Sequence, residues 1–121
     1  CGRLINPALA EAQVHGGMSM AIGYGLSEQL LFGEKTGRPL NNNLLDYKLS
    51  TMMDHPDIAA RFVENYEPTS AFGTKALGEP PACPGAPAIR NAILAATGVA
   101  VDRIPITPHV LFTRFKEEGL L

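Results

Sequence analysis

The first third of the chain carries apolar residues at a helical spacing. Five of them recur every four residues and fall on one face of an α-helix. They are Val14, Met18, Ile22, Leu26 and Leu30. Asn6 is a favoured N-cap residue and Pro7 suits the first helical position. The pattern therefore predicts a helix over Ala8–Leu31, ended by Gly33.

A second stripe of small residues runs along the same predicted helix. Gly17, Ala21 and Gly25 repeat at the four-residue spacing, next to the additional glycines Gly16 and Gly23. Each glycine in a helix interior costs about 1 kcal/mol relative to alanine. Two explanations stay open at this point: another backbone packs against this face, or a ligand lies against it.

The remainder of the chain predicts two more helices and short extended segments. Ala86–Thr97 keeps an i, i+3, i+4 apolar pattern and is followed by Gly98, a good residue for the end of a helix. Thr107-Pro108 repeats the N-cap and first-turn signal and begins the last helix.

Strands are predicted over Ile58–Tyr66 and Val99–Ile104, and Leu44–Leu49 is expected to be extended. The proline- and glycine-rich stretch Glu67–Pro87 is predicted to be one long, constrained loop. The fold class is therefore α+β and helix-rich, with a few short strands.

Composition narrows the class of protein. A length of 121 residues suits one domain or one part of a larger domain. The net charge of −2 comes from mixed acids and bases with no basic stripe, so we expect no nucleic-acid partner. No apolar run is long enough for a membrane span. Cys1 and Cys83 lack the spacing of a zinc site or disulfide framework, so we expect a reducing cytoplasm.

The segment around Glu79 is the best candidate for chemistry. Gly73 and Gly78 have the spacing of a phosphate-binding loop, but an acid and a proline follow where Lys and Ser or Thr are needed. Gly78 is expected to let the backbone turn, and Pro80-Pro81 restricts the chain beyond. A carboxylate held in this way suits a general base. A surface acid on a rigid turn is the simpler alternative.

Six segments, taken together and in this order, resemble a known family. The resemblance covers nearly the whole chain, and its most specific parts are the segments containing Gln13 and Glu79. The segments are Leu4-Ile5-Asn6-Pro7, Gln13-Val14-His15-Gly16-Gly17, Asp46-Tyr47-Lys48, Thr74-Lys75-Ala76-Leu77-Gly78-Glu79-Pro80-Pro81, Ala88-Ile89-Arg90-Asn91-Ala92-Ile93 and Pro105-Ile106-Thr107-Pro108. They resemble the C-terminal region of the molybdenum-cofactor-binding subunit of the xanthine dehydrogenase/aldehyde oxidase family.

The resemblance implies a molybdenum hydroxylase that adds oxygen from water to a carbon of an N-heterocycle or aldehyde. It implies that Glu79 is the general base and that Gln13 contacts the molybdenum–pterin cofactor, which is molybdopterin or its cytosine dinucleotide form. Gly16, Gly17 and Gly78 would allow the cofactor to approach closely. Ala12 stands where the family usually has glycine, which puts close backbone approach at that point in doubt.

The resemblance also implies partners. The remainder of the molybdenum-binding subunit would complete the cofactor site, and 2Fe-2S clusters and FAD would be carried by other domains or subunits. All 121 residues would then be one segment of a larger cofactor-binding domain, inactive alone and prone to self-association through its uncovered face. The alternative hypothesis is a non-catalytic assembly module that binds no cofactor.

Overall fold

Three α-helices make up the regular structure of the chain. The computed structural model describes all 121 residues. The helices are α1 (Pro7–Leu26), α2 (Gly85–Thr97) and α3 (Pro108–Glu117), with short 3₁₀ turns at Met52–Asp54 and Ala71–Gly73. The helix-rich character and the starts of α2 and α3 confirm the prediction to within one residue. Thr107 caps α3 by accepting a hydrogen bond from the Val110 N–H at 3.3 Å.

Helix α1 is shorter than the sequence pattern predicts. Asn6 caps its start as expected, with its side chain accepting from the Leu9 N–H at 3.1 Å. The helix ends at Leu26, with Ser27 as its C-cap residue, because polar side chains bind the backbone beyond it. The buried Asn41 amide donates to the Gln29 carbonyl and accepts from the Leu31 N–H, both at 2.7 Å. Residues 28–31 therefore leave the helical path although their apolar spacing continues.

The small residues of α1 pack against another helix. Gly85, at the start of α2, lies so close to Ala21 that a Cβ atom on Gly85 would be 2.2 Å from the Ala21 Cβ. Gly25 faces Ala86 and Ile89 of α2, where an added Cβ would lie 3.2 Å from the Ile89 side chain. Close backbone packing is thus the explanation for this part of the stripe.

The predicted strands do not form. Residues 58–66 and 99–104 have no regular secondary structure, and the only β-bridges are the isolated pairs Gly2–Thr74 and Phe32–Pro39. Residues 55–66 make no backbone–backbone hydrogen bond, although the covered side chains of Ile58, Ala60 and Phe62 alternate with exposed ones. The alternation suits a strand, but this chain supplies no neighbouring strand for it.

Two further stretches differ from prediction. Residues 44–46 form a turn, in which the Asn43 carbonyl accepts from the Tyr47 N–H at 2.9 Å, rather than an extended segment. The stretch predicted as one loop, Glu67–Pro87, is divided by the 3₁₀ turn and by the start of α2. Pairing with the first residues of the chain also constrains it, since the Arg3 N–H donates to the Gly73 carbonyl at 2.9 Å.

The core is small and much apolar surface is uncovered. Only 12 of 121 residues are buried, and the buried apolar side chains are Ala21, Ala86, Val99, Val101 and Ile106. The exposed area is 8837 Å², whereas a compact monomer of this mass exposes about 6,300 Å². None of the helices is both long and apolar enough to span a bilayer.

Adjacent glycines in α1 provide a test of this packing. A Cβ on Gly17 would lie 2.6 Å from the Pro81 Cβ, whereas one on Gly16 would meet nothing within 4 Å. We expect Gly17→Ala to lower the free energy of unfolding by about 1–3 kcal/mol through overpacking. Gly16→Ala, its matched control, should raise it by up to about 1 kcal/mol through helix propensity. Thermal and denaturant unfolding measure both, and equal effects would contradict the described contact.

Candidate functional site

All five residues singled out from the sequence line one cavity. The cavity has a volume of about 350 Å³ and lies between α1 and the turn that precedes α2. Its lining residues are Gln13, Gly16, Gly17, Met20, Gly78, Glu79 and Ala82. The structure thus brings together two segments that are more than sixty residues apart in sequence.

Gln13 joins the two walls of the cavity. Its side-chain Nε2 donates to the Gly78 carbonyl at 2.8 Å. A carbonyl can only accept, so the amide must present its NH₂ group to Gly78, and its oxygen is directed away. That oxygen has no hydrogen-bond partner within the chain. Gln13 therefore anchors the residue before Glu79 and keeps one acceptor for another group.

Glu79 begins a tight turn with two prolines inside. Its backbone carbonyl accepts from the Ala82 N–H at 2.9 Å, across Pro80 and Pro81. The prolines restrict the backbone of this turn. Glu79 is an exposed residue of the cavity lining, and its carboxylate takes part in no hydrogen bond or ion pair of the chain.

The three predicted cofactor glycines fall into two kinds. Gly17 packs directly on Pro81 and Ala82, so its lack of a side chain serves the contact between the walls. A Cβ on Gly16 or Gly78 would meet no atom within 4 Å. Gly78 also has no positive φ angle, so the predicted sharp glycine turn is not the reason for this residue. Gly16 and Gly78 leave open space on both walls, which fits a bound group larger than a side chain.

Lys75 lies outside the cavity, so it does not serve as a counter-ion for Glu79. It is exposed and forms no ion pair within 4 Å. Its charge acts instead on Glu67. The pKa of Glu67 lies below its ordinary value mainly because the Thr69 hydroxyl and the Thr69 N–H donate to its carboxylate, and Lys75 adds a smaller contribution.

Three residues of the site were not identified from the sequence. Met20 and Ala82 complete the lining of the cavity. Tyr24 does not line the cavity, but its hydroxyl donates to the carbonyl of Ala82, a lining residue, at 2.6 Å. Helical spacing could have indicated Tyr24, since it follows Gln13 by eleven positions, about three turns of one helix. No group of three or more His, Cys, Asp or Glu side chains has an arrangement that could hold a metal ion.

Comparisons with known proteins agree on the family of the chain. Residues 1–56, which include α1 and Gln13, match the molybdopterin cofactor-binding domain family. Over 120 residues the chain is 52% identical to the xanthine dehydrogenase molybdenum-binding subunit of Escherichia coli O157:H7, covering 99% of this chain and 16% of that subunit. It is 35% identical to the gamma subunit of the 6-hydroxypseudooxynicotine dehydrogenase complex of Paenarthrobacter nicotinovorans, covering 93% of this chain and 14% of that subunit.

Solved structures extend the agreement to the fold. The crystal structure of quinoline 2-oxidoreductase from Pseudomonas putida 86 superimposes with a TM-score of 0.88 at 34% identity, over 97% of this chain and 15% of that one. Reconstituted CO dehydrogenase from Oligotropha carboxidovorans gives a TM-score of 0.89 at 28% identity, over 99% of this chain and 15% of that one.

The sequence, the fold and the cavity define part of a molybdopterin cofactor-binding unit. The chain belongs to the molybdenum-cofactor-binding subunits of the xanthine dehydrogenase/aldehyde oxidase family, as the motifs indicated. It spans 16% of the length of the xanthine dehydrogenase subunit that it matches.

The turn at Glu67 gives a prediction on pH dependence. The pKa of Glu67 is lower in the folded chain than its ordinary value of 4.5. The ionised carboxylate therefore stabilises the folded chain at pH values above 4.5. This stabilisation is lost as the pH falls through the lower pKa of the folded chain. Thr69→Val removes the hydroxyl donor and should raise this pKa towards 4.5. An NMR titration of the Glu67 carboxyl measures the change, and an unaltered midpoint would contradict the assigned cause.

Proposed function

We propose that the chain forms one wall of the cofactor and substrate site of a molybdenum hydroxylase, with Glu79 as general base. The hydroxylase would add oxygen from water to a carbon of an N-heterocycle or aldehyde. One observation carries the proposal: Glu79, whose carboxylate has no partner in the chain, lines one cavity together with Gln13, Gly16, Gly17 and Gly78. These are the residues that the family resemblance assigns to the base and to cofactor contact.

The contacts suggest a separate role for each residue that lines the cavity. A bound molybdenum–pterin group would supply the oxygen donor and the acceptor for two electrons. Gln13, fixed by its bond to the Gly78 carbonyl, would offer its free amide oxygen to a donor on that group. Gly16 and Gly78 would let the group lie against both walls, because neither carries a side chain there.

Glu79 would act on the proton of the reaction. Its carboxylate has no competing partner in the chain and lies on a turn restricted by Pro80 and Pro81. It would accept the proton that the attacking oxygen loses as that oxygen bonds to the substrate carbon. The hydrogen that this carbon carried would leave with its electron pair, and the bound group would supply the acceptor for both electrons. Proton transfer to a positioned base accelerates a reaction by about 10²–10⁴-fold.

The remainder of the molybdenum-binding subunit is the proposed main partner. The chain exposes 8837 Å², about 2,500 Å² more than a compact monomer of its mass, and this excess is comparable to a large obligate interface. Residues 55–66 also lack any main-chain partner. We infer that the isolated chain is inactive and tends to associate with itself, and that iron–sulfur clusters and FAD on other domains or subunits carry the electrons away.

The role of Glu79 is tested in the complete subunit by Glu79→Gln. This change keeps the size of the side chain but removes its capacity as a base. We expect molybdenum and pterin content to stay normal while kcat falls by at least about 10²-fold. Metal analysis, cofactor release and steady-state kinetics measure the two effects separately.

Glu34→Gln is the matched control, since Glu34 is exposed, forms no hydrogen bond or ion pair in the chain and lies outside the cavity. It should leave both cofactor content and kcat unchanged. Normal turnover by Glu79→Gln would remove Glu79 from the mechanism. If the wild-type subunit also contained no cofactor, the alternative of a non-catalytic assembly module would be the better account.

A further inference from the structure

We propose that Tyr24 is a positioning residue that fixes the direction of the Glu79 carboxylate. This inference rests on the proposed role of Glu79 and adds a residue that the family motifs do not include. Tyr24 does not line the cavity, so it would act only through the backbone that carries the acid. Its phenol donates to the Ala82 carbonyl at 2.6 Å.

The hydrogen bond from Tyr24 means that the backbone is held on both sides of Glu79. Gln13 holds the Gly78 carbonyl, one residue before Glu79, and Tyr24 holds the Ala82 carbonyl, three residues after it. The Ala82 N–H bonds back to the Glu79 carbonyl at 2.9 Å, so Ala82 is held at both of its backbone groups. The only residue between the two anchors that carries an ionisable side chain is Glu79.

Both anchors arise from one rigid element. Gln13 and Tyr24 are eleven positions apart on α1; at about 100° per residue this separation returns to the same face of the helix, about 20° away. Gly17 lies on that face between them and packs on Pro81 and Ala82. The face is therefore shaped to bring the whole turn close, with a hydrogen bond at each end and a close contact in the middle.

The expected contribution is to orientation. Misplacing a catalytic group by about 1 Å can lower a rate by about 10²-fold, and loss of one of several constraints should have a smaller effect. Without the phenol, the prolines and the Gln13 contact still restrict the turn, but the Ala82 carbonyl loses its partner. Glu79 would then spend less time in the reactive direction, while cofactor contacts at Gln13 and Gly16 are unaffected.

The test uses Tyr24→Phe in the complete cofactor-loaded subunit, with Tyr47→Phe as matched control. Tyr47→Phe likewise removes a partly buried hydrogen bond of a phenol, the one that Tyr47 donates to Glu28 at 2.9 Å. Tyr47 does not touch the turn. We expect Tyr24→Phe to lower kcat by about tenfold with KM, molybdenum content and melting temperature close to those of the control. Amide hydrogen exchange in residues 78–85 should be several-fold faster in Tyr24→Phe only.

A double-mutant cycle shows whether Tyr24 acts through Glu79. If it does, adding Tyr24→Phe to Glu79→Gln should cause no further loss in the residual rate. A full tenfold loss in that background, or turnover by Tyr24→Phe equal to that of Tyr47→Phe, would overturn the inference while leaving the role of Glu79 intact. Normal turnover by Glu79→Gln would instead refute the proposed function itself.

Discussion

The close approach of α1 to the turn around Glu79 is the constraint on which the rest of the site depends. Gly17 permits this approach, because any side chain there would overlap Pro81. Once the two segments touch, Gln13 reaches the Gly78 carbonyl and the cavity takes its shape between them. The same packing continues to Ala21 and Gly85, so the site and the small helical core are parts of one contact.

The small residues of α1 differ in their surroundings. Gly17, Ala21 and Gly25 allow packing against the turn and α2, whereas Gly16 faces open space in the cavity. Backbone packing therefore explains Gly17, Ala21 and Gly25, whereas a ligand against Gly16 stays a prediction. Adjacent glycines in one helix differ because a rotation of about 100° separates their faces.

Elements with local signals were predictable from the sequence, and those that depend on distant contacts were not. The caps at Asn6 and Thr107 and the end of α2 at Gly98 follow from rules that involve only neighbouring residues. The early end of α1 depends on the Asn41 side chain, ten or more residues away. Residues 58–66 have the pattern of a strand, but a strand also needs a partner that no pattern within the segment supplies.

The candidate site shows the same division. Glu79 and Gln13 were found because whole motifs resembled a family, whereas Gly78 was assigned a turn for which its backbone does not need glycine. Tyr24 belongs to none of the quoted motifs, and its relation to Ala82 becomes visible only when α1 lies against the turn. The uncovered apolar surface likewise has no local signal, since exposure depends on how the whole chain packs.

The most direct test is a crystal structure of the complete subunit with its cofactor and a slow substrate bound. The account predicts the pterin group against Gly16 and Gly78, the Gln13 amide in contact with it, and a Glu79 carboxylate oxygen within hydrogen-bond reach of the reacting centre, at about 2.6–3.2 Å. A Glu79 side chain directed away from that centre, with another residue in its place, would contradict the account.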